Sequence, residues 1–564
     1  MDNSRKILDL SFKRLALASL VLMCAAVAVF TVPIIVNGAG AFAFTATSEH
    51  EKFLAEYLGR ELDERAKERI ADADAHKAEV FGLMRNYETV ECAAAQKAVS
   101  NAVSDAFAKF AALKDEFVKA AELPPQRRKT ALETLSKKAW SGFGETLERS
   151  AQEAAKTAPV SFEKFLAGQK SEIEAKAKEF AGELQKRKRL GFGAKSAVRR
   201  AICAPAAAAL DAQAEKFAEI NANYFALKSG ITKLLGPIDA RQKAAEKLLR
   251  NKYGQTRYDM AKKVFRDRVE NIRICVKDKN GTPTFARAKS ADVFAGTDAE
   301  KVLTKIGSDF DKLVAPHFVF YWGFFTDDPL DSNIFGGIFP MIAGTFYLTI
   351  GAMLIAAPLG IIAAIYFSEY ARENAATSLL RMCVGTLAGV PSIVFGLFGL
   401  AFIINTLKVS DGKSVLAGAI TLALLILPTI IQSCVESLKC VPNTYREAAL
   451  GLGAGKWRAI CSVILPAALP SMLTGIIISM GRAAGETAPI IFTAATSTGA
   501  ALGLTSVFTE PPPALPWNIY NICSEHEASE MVEHVQYGMV FALMAIVLSL
   551  NLAAIILRAK LQRK

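Results

Sequence analysis

The sequence predicts an all-α membrane protein: six transmembrane helices, with a large helical domain outside the membrane inserted after the first. Three observations carry that prediction. Of 564 residues, 52% are hydrophobic and yet 22% are charged, which calls for two regions of opposite character in one chain. Six stretches reach the roughly twenty mostly apolar residues that cross a bilayer: Leu15–Val36, Ile338–Phe367, Leu379–Ile404, Val415–Leu438, Leu465–Thr496 and Val535–Leu557. Basic residues alternate with them. Arg5, Lys6, Lys13 and Arg14 precede the first span, and Arg372 and Arg381 lie between the second and third. Lys439, Arg446, Lys456 and Arg458 lie between the fourth and fifth, and Arg558, Lys560, Arg563 and Lys564 follow the sixth. If every span crosses, all of these fall on one side, which the positive-inside rule makes cytoplasmic together with both termini. The net charge of +12 is then topological, and nucleic acid is not an expected partner.

The first part, residues 1–37, is a cytoplasmic N-terminus and the first span. A basic start and Ala41-Phe42-Ala43 would also suit a cleaved signal peptide. The apolar run, about 22 residues against the usual 7–15, favours an uncleaved anchor.

Residues 38–335 form the insertion, rich in Ala, Lys and Glu. Residues 53–84 and 161–190 read as amphipathic helices. Breaks are expected at Pro124-Pro125, Gly191-Phe192-Gly193, Pro205 and Gly236-Pro237. Thr297 to Glu300, Thr-Asp-Ala-Glu, has capping-box spacing and should start another helix. An antiparallel bundle or hairpin stack outside the membrane is the expectation, serving as a scaffold or as a docking surface for a soluble partner. Near its end, Phe318, Tyr321, Trp322, Phe324 and Phe325 suit either an interfacial aromatic belt or a buried aromatic cluster. Cys92, Cys203, Cys275 and Cys523 fall outside on this topology, where two disulfides or four isolated thiols are equally compatible with the sequence.

The third part, residues 336–564, holds five spans and a cytoplasmic loop at 439–466. Gly385 and Gly389 have the spacing of a close helix approach, and Pro391 and Pro428 should kink spans three and four. Several look-alikes fail. Gly451–Trp457 resembles a phosphate-binding loop, but Leu450 stands where a glycine is needed and Trp457 where a hydroxyl must bind Mg²⁺. His526 and His534 lack the spacing that sets two ligands on one helical face. With five histidines in the chain, no catalytic constellation can be defended, and neither an enzymatic activity nor a cofactor is expected.

Two features carry function. Glu447–Pro466 reads as a short amphipathic helix, a glycine break at Gly453 or Gly455, and a return into the membrane at Pro466, where proline at a span's start costs no helical bond. Met480–Ala494 places Arg482 and Glu486 at i and i+4 on one face of the fifth span, one turn before Pro489. Each such charge costs roughly 2.5–3.5 kcal/mol at the bilayer centre, so the pair marks either a substrate path or a bridge that locks helices.

The loop resembles the EAA loop of ABC-importer permeases: Glu447, Ala448, Ala449, Gly453, then Leu465 and Pro466, with Val463 a conservative departure. Gly336–Ala371, Gly389–Phe402 and Gly481–Ala494 resemble phosphate-specific permeases of the PstA type. The resemblance covers about 230 C-terminal residues and leaves out the insertion; Lys439 stands where arginine is expected. It implies a type I importer fold and ATPase coupling through Glu447, Ala448, Ala449 and Gly453. It also implies that Arg482 attracts phosphate while Glu486 partly neutralises it. The implied partners are a second homologous permease, two copies of a cytosolic ATPase and an extracytoplasmic phosphate-binding protein. Another oxyanion such as molybdate or sulfate, a membrane sensor and a stand-alone secondary transporter are the alternatives.

Overall fold

The computed structural model describes residues 2–90, 92–187, 190–277, 283–496, 499–503, 506, 509–527 and 529–562. It consists of two compact units, Thr45–Phe318 and the pair of segments Met1–Phe44 and Val319–Lys564. The first helix, α1 (Asp2–Ala39), belongs to the second of these.

The Thr45–Phe318 unit is mainly helical: α2 (Ser48–Glu56), α3 (Glu64–Thr89), α4 (Ala93–Ala112), α5 (Lys114–Glu122), α6 (Pro125–Ala139), α7 (Phe143–Thr157), α8 (Pro159–Arg187) and α9 (Phe192–Leu235). An antiparallel hairpin follows, β1 (Asn271–Lys277) and β2 (Pro283–Lys289), and then α10 (Asp298–Ser308). The breaks at Pro124, Gly191 and Gly236 are present as helix boundaries, but Pro205 lies inside α9. Thr297 caps α10 only in position: its hydroxyl donates back to the Phe294 carbonyl, while Glu300 accepts the Gly296 N–H at 2.7 Å. Many of its aromatic residues lie in the core. Phe110 packs on Phe117, Trp140 and Phe180 with ring centroids 5.5–5.9 Å apart, and the Trp140 indole donates to the Ile202 carbonyl at 2.9 Å. Cys92 and Cys203 are free thiols, as is Cys523 in the other unit; the Cys275 side chain lies outside the described residues.

This unit also buries charge. Glu49 accepts from Lys77 at 2.5 Å, Lys52 at 2.9 Å and the Gly254 N–H at 3.2 Å. Burial opposes its ionisation, but the two ammonium groups outweigh burial and hold the carboxyl at about 2, against 4.5 when free. Next to it His50 is kept neutral: burial, with the cationic surroundings of His317, Arg257 and Arg60, pushes its pKa from 6.5 to about 3. Both groups bind more protons when unfolded. The stability they contribute is therefore complete above about pH 6.5, is lost first through His50, and below 4.5 is lost through Glu49 as well. Between pH 6.5 and 4.5 the His50 share alone is about 2 kcal/mol. Circular-dichroism melts should show the midpoint of this unit's helices falling from pH 6.5 downwards and more steeply below 4.5. His50→Gln should flatten the upper limb.

In the other unit α1 is followed, after the insertion, by α11 (Phe339–Ile365), α12 (Ala375–Ala388), α13 (Ser392–Phe398), α14 (Val415–Lys439), α15 (Asn443–Gly451), α16 (Leu465–Gly485), α17 (Ala488–Thr493) and α18 (Ser529–Gln562). Among the described residues five helices are long and apolar enough to cross a membrane: Phe12–Ala39, Phe339–Tyr370, Val415–Lys439, Lys456–Gly485 and Glu530–Lys560. The expected third span is not one straight helix. It is α12 followed by Ser392–Thr406, bent by 102°, because Gly389 ends α12 and Pro391, unable to donate, caps the start of α13. Pro428 instead lies inside the unbroken α14. Gly385 makes no close approach, since a Cβ there would meet nothing within 4 Å; a Cβ on Gly475 of α16 would fall 1.7 Å from Ser433 Oγ of α14, and there the helices do touch closely.

The aromatic segment is partly buried and partly exposed. Tyr321 and Phe324 are buried, and Phe42 packs on Phe324, Phe325 and Phe541, while Phe318 and Trp322 are exposed. His526 contacts the Ser332 carbonyl at 2.6 Å, and no metal-binding group is present among the described residues.

Candidate coupling and translocation site

The loop between α14 and α16 is built as a rigid prop. Glu447, Ala448 and Ala449 sit in α15, of which only Ala449 is buried. Gly453 stops the helix at φ +81°, a left-handed conformation that costs a residue with a Cβ about 1–2 kcal/mol. The Ala454 N–H then reaches the Ala449 carbonyl at 3.1 Å and the Gly453 N–H reaches that of Leu450 at 2.9 Å, the paired closure of a Schellman motif. The chain turns at Gly455 and becomes helical again at Lys456, ten residues earlier than the expected re-entry at Pro466. Pro466 is absorbed just after a π turn, Ile460–Ile464, in which the Leu465 N–H bonds to the Ile460 carbonyl; the wider turn accommodates a residue with no N–H.

Two side chains absent from the sequence-level expectation as site residues hold this prop. Arg446 of α15 pairs with Glu369, in the turn that ends the α11 span, at 2.8 Å and 3.1 Å. It also donates to the Val441 and Leu438 carbonyls at 2.7 and 2.8 Å, satisfying the open end of α14. The Glu369 carboxylate is 7% exposed. On the far side Lys456 lies 4.7 Å over the Tyr370 ring. The outer edge is left apolar and bare: Leu452 is 90% exposed, Trp457 63% and Tyr445 50%.

Arg482 and Glu486 do meet, with Nε donating to Oε1 at 3.1 Å, but they do not share a helix face. α16 ends at Gly485, and Glu486 is already extended (φ −73°, ψ 127°). The cause is Pro489. It cannot donate to the carbonyl four residues back, that of Gly485, and its ring would clash there. The helix therefore breaks and restarts as α17, which carries Pro489 in its first turn. The broken segment is packed inside protein, as a membrane requires of non-helical backbone. The Ser414 N–H donates to the Thr493 carbonyl at 3.1 Å, and Pro489, Ile490 and Thr493 are buried. The ion pair itself faces out, with Arg482 44% exposed and Glu486 18%.

The model of the binding-protein-dependent transport system inner membrane component matches residues 356–564 and so contains both features. The phosphate transport system permease protein PstA of Yersinia pestis is 36% identical over 225 residues, 40% of this chain and 73% of that protein. The probable ABC transporter permease protein YqgI of Bacillus subtilis is 36% identical over 163 residues, 29% of this chain; this chain spans about half of that relative, 55%. A chain of the MetNI methionine ABC transporter in an inward-facing conformation matches at a TM-score of 0.31 and 16% identity, over 40% of this chain and 94% of that one; a likeness this weak carries no weight here. Identity above 30% across almost three quarters of a PstA protein is decisive: the chain belongs to the PstA-type permeases of the binding-protein-dependent transport family.

Proposed function

We infer that this chain forms half of the transmembrane pathway of an ATP-driven importer of inorganic phosphate. The observation that carries this reading is α15, a helix clamped to two span ends with an apolar edge turned outward. Such an edge suits a groove on a soluble partner, in the manner of a helix laid into a hydrophobic cleft. That partner is a cytosolic ATPase, present in two copies, whose closure moves the prop and with it the ends of α11 and α14. The bent α12–α13 pair makes the third crossing. With six crossings the basic residues at 5–14, 372–381, 439–458 and 558–560 share the cytoplasmic side, and the insertion lies outside.

The cargo is read from the broken helix. Arg482 stands where α16 opens, and guanidinium matches a tetrahedral oxyanion in both charge and geometry. Glu486 holds it in the resting state and weakens it enough to release its ion. The name of the Yersinia relative, a phosphate transport system permease, supports phosphate over other oxyanions. The exposed apolar side chains of α12 and α13, among them Leu379, Met382, Ile393 and Leu397, face lipid and a second homologous permease. A phosphate-binding protein delivers the ion outside. ATP is hydrolysed on the partner, and this chain performs no covalent chemistry.

Leu452→Glu tests the coupling. The residue touches little of its own chain, so folding should change by no more than about 0.5 kcal/mol and membrane levels should hold. Copurification of the ATPase should fall by about tenfold or more, as expected for a central apolar anchor. Wild-type copurification would show that the ATPase docks elsewhere.

A further inference from the structure

The hairpin of the insertion, β1 and β2, is a surface that the transport reading leaves unused, and it lies outside the family match at 356–564. Its two faces differ. Asn271 pairs with Lys289, Ile272 with Ala288, Arg273 with Arg287 and Ile274 with Ala286, and side chains alternate between the faces of such a ribbon. Ile272 is buried in one hydrophobic cluster with Leu227 and Ile231 of α9, and Ile274 packs against it. That face covers the core. The other carries Arg273, Arg287 and Lys289, all exposed, and Phe285, which is 78% exposed.

The outer face is cationic without compensation. Arg273 and Arg287 stand directly opposite each other, where like charges destabilise a strand pair. No ion pair joins Arg273, Arg287 or Lys289 to an acidic group among the described residues. The neighbouring chain does not balance them either: residues 262–289 hold nine Lys and Arg against three Asp and Glu.

β2 is also an edge strand. The sheet has two strands, and among the described residues β2 makes no backbone hydrogen bond on its far edge to another element. Thr284, Phe285, Ala286 and Arg287 are exposed in succession, so that edge is open. A free edge is a template for a further strand, and flanking cations guard it against indiscriminate pairing. The same cations admit one class of strand, an acidic one, whose carboxylates would relieve the repulsion between Arg273 and Arg287. A lipid headgroup or a free anion would meet the charges but leave the edge unpaired. Phe285, Arg287 and Lys289 share a face at alternate positions. A strand pairing antiparallel would therefore present two acidic residues and then an apolar one, also at alternate positions.

We propose that β2 is the docking edge for an acidic, extended segment of a protein partner. The segment adds as a third strand, with carboxylates against Arg287 and Lys289 and an apolar side chain against Phe285. The test titrates the full chain in phosphatidylcholine nanodiscs against the fluorescein-labelled peptide Thr-Glu-Thr-Glu-Thr-Phe-Thr, read by anisotropy. The same peptide with Lys for Glu is the control. Saturable binding of the acidic peptide alone is expected. Arg287→Glu with Lys289→Glu should weaken it at least about tenfold, and by setting a carboxylate opposite Arg273 this pair of changes favours the hairpin. Lys137→Glu with Lys138→Glu on α6 alters net charge equally and should leave the affinity within about twofold. Bound peptide should also slow hydrogen exchange at amides within residues 284–289, which contact through side chains alone would not do. Absence of saturable binding, equal binding of the Lys peptide, equal loss in both double variants, or unchanged exchange in β2 would overturn the proposal. Phosphatidylglycerol vesicles form the second arm. Capture by them that is lost in the β2 variant, without binding of the peptide, would assign the ribbon to a lipid surface and overturn it too.

Discussion

Arg482→Ala should abolish most phosphate uptake while leaving the chain in the membrane at wild-type levels. The two parts of that expectation have different sizes. As a contributor to folding, the Arg482–Glu486 contact is a single ion pair with its arginine nearly half exposed, worth on the order of 0.2–1 kcal/mol. As a contact to an oxyanion, a guanidinium supplies charge-assisted hydrogen bonds worth roughly 1.5–3 kcal/mol each, or about tenfold to a hundredfold in uptake. Arg482→Lys should keep part of the activity, since it retains the charge without the planar fork. Glu486→Gln should act in the opposite sense, holding the anion longer and slowing turnover. Uptake of labelled phosphate beside a membrane blot separates these effects. Loss of the protein along with the uptake would make the pair a structural bridge.

Arg446→Ala should produce the second large effect, by another route. Its partner Glu369 is almost fully buried, and removing the guanidinium strands that carboxylate together with two span-end carbonyls. Breaking a buried pair in this way costs about 3–5 kcal/mol. The loss should be local: α15 comes off its seat, and hydrogen exchange at residues 443–454 accelerates while the amides of α14 stay protected. Uptake should fall and ATP hydrolysis should no longer respond to the substrate. Arg446→Lys should recover little, because one ammonium cannot reach Glu369, Leu438 and Val441 together. Unchanged exchange in α15 would mean that the prop is held by something other than Arg446.

Much of this molecule is legible in its sequence where one physical rule dominates. Hydrophobic length located the five long spans, and Gly453 marks the end of α15 because its left-handed turn excludes most other residues. Proline effects were legible in kind but not in outcome. Pro391, beside Gly389, breaks a span by 102°, Pro428 leaves its helix unbroken, and Pro489 ends α16 four residues upstream of itself. What separates these cases is packing around the freed carbonyls, which no local pattern states. The hairpin was missed although Ile272, Ile274 and Val276 alternate with polar residues ahead of Asn280-Gly281, a hairpin signal; the helical composition around it outweighed seven residues. Arg446 and Glu369 were beyond reach for a different reason. They are 77 residues apart, and only the tertiary fold brings them together.

The most direct test of the account is phosphate uptake into proteoliposomes that contain this chain, a second permease and the ATPase, with the binding protein outside and ATP inside. The account predicts uptake that requires ATP, is blocked by arsenate, and is indifferent to sulfate and molybdate. Uptake without ATP would contradict the coupling assigned to α15, and competition by sulfate or molybdate would contradict the cargo assigned to Arg482.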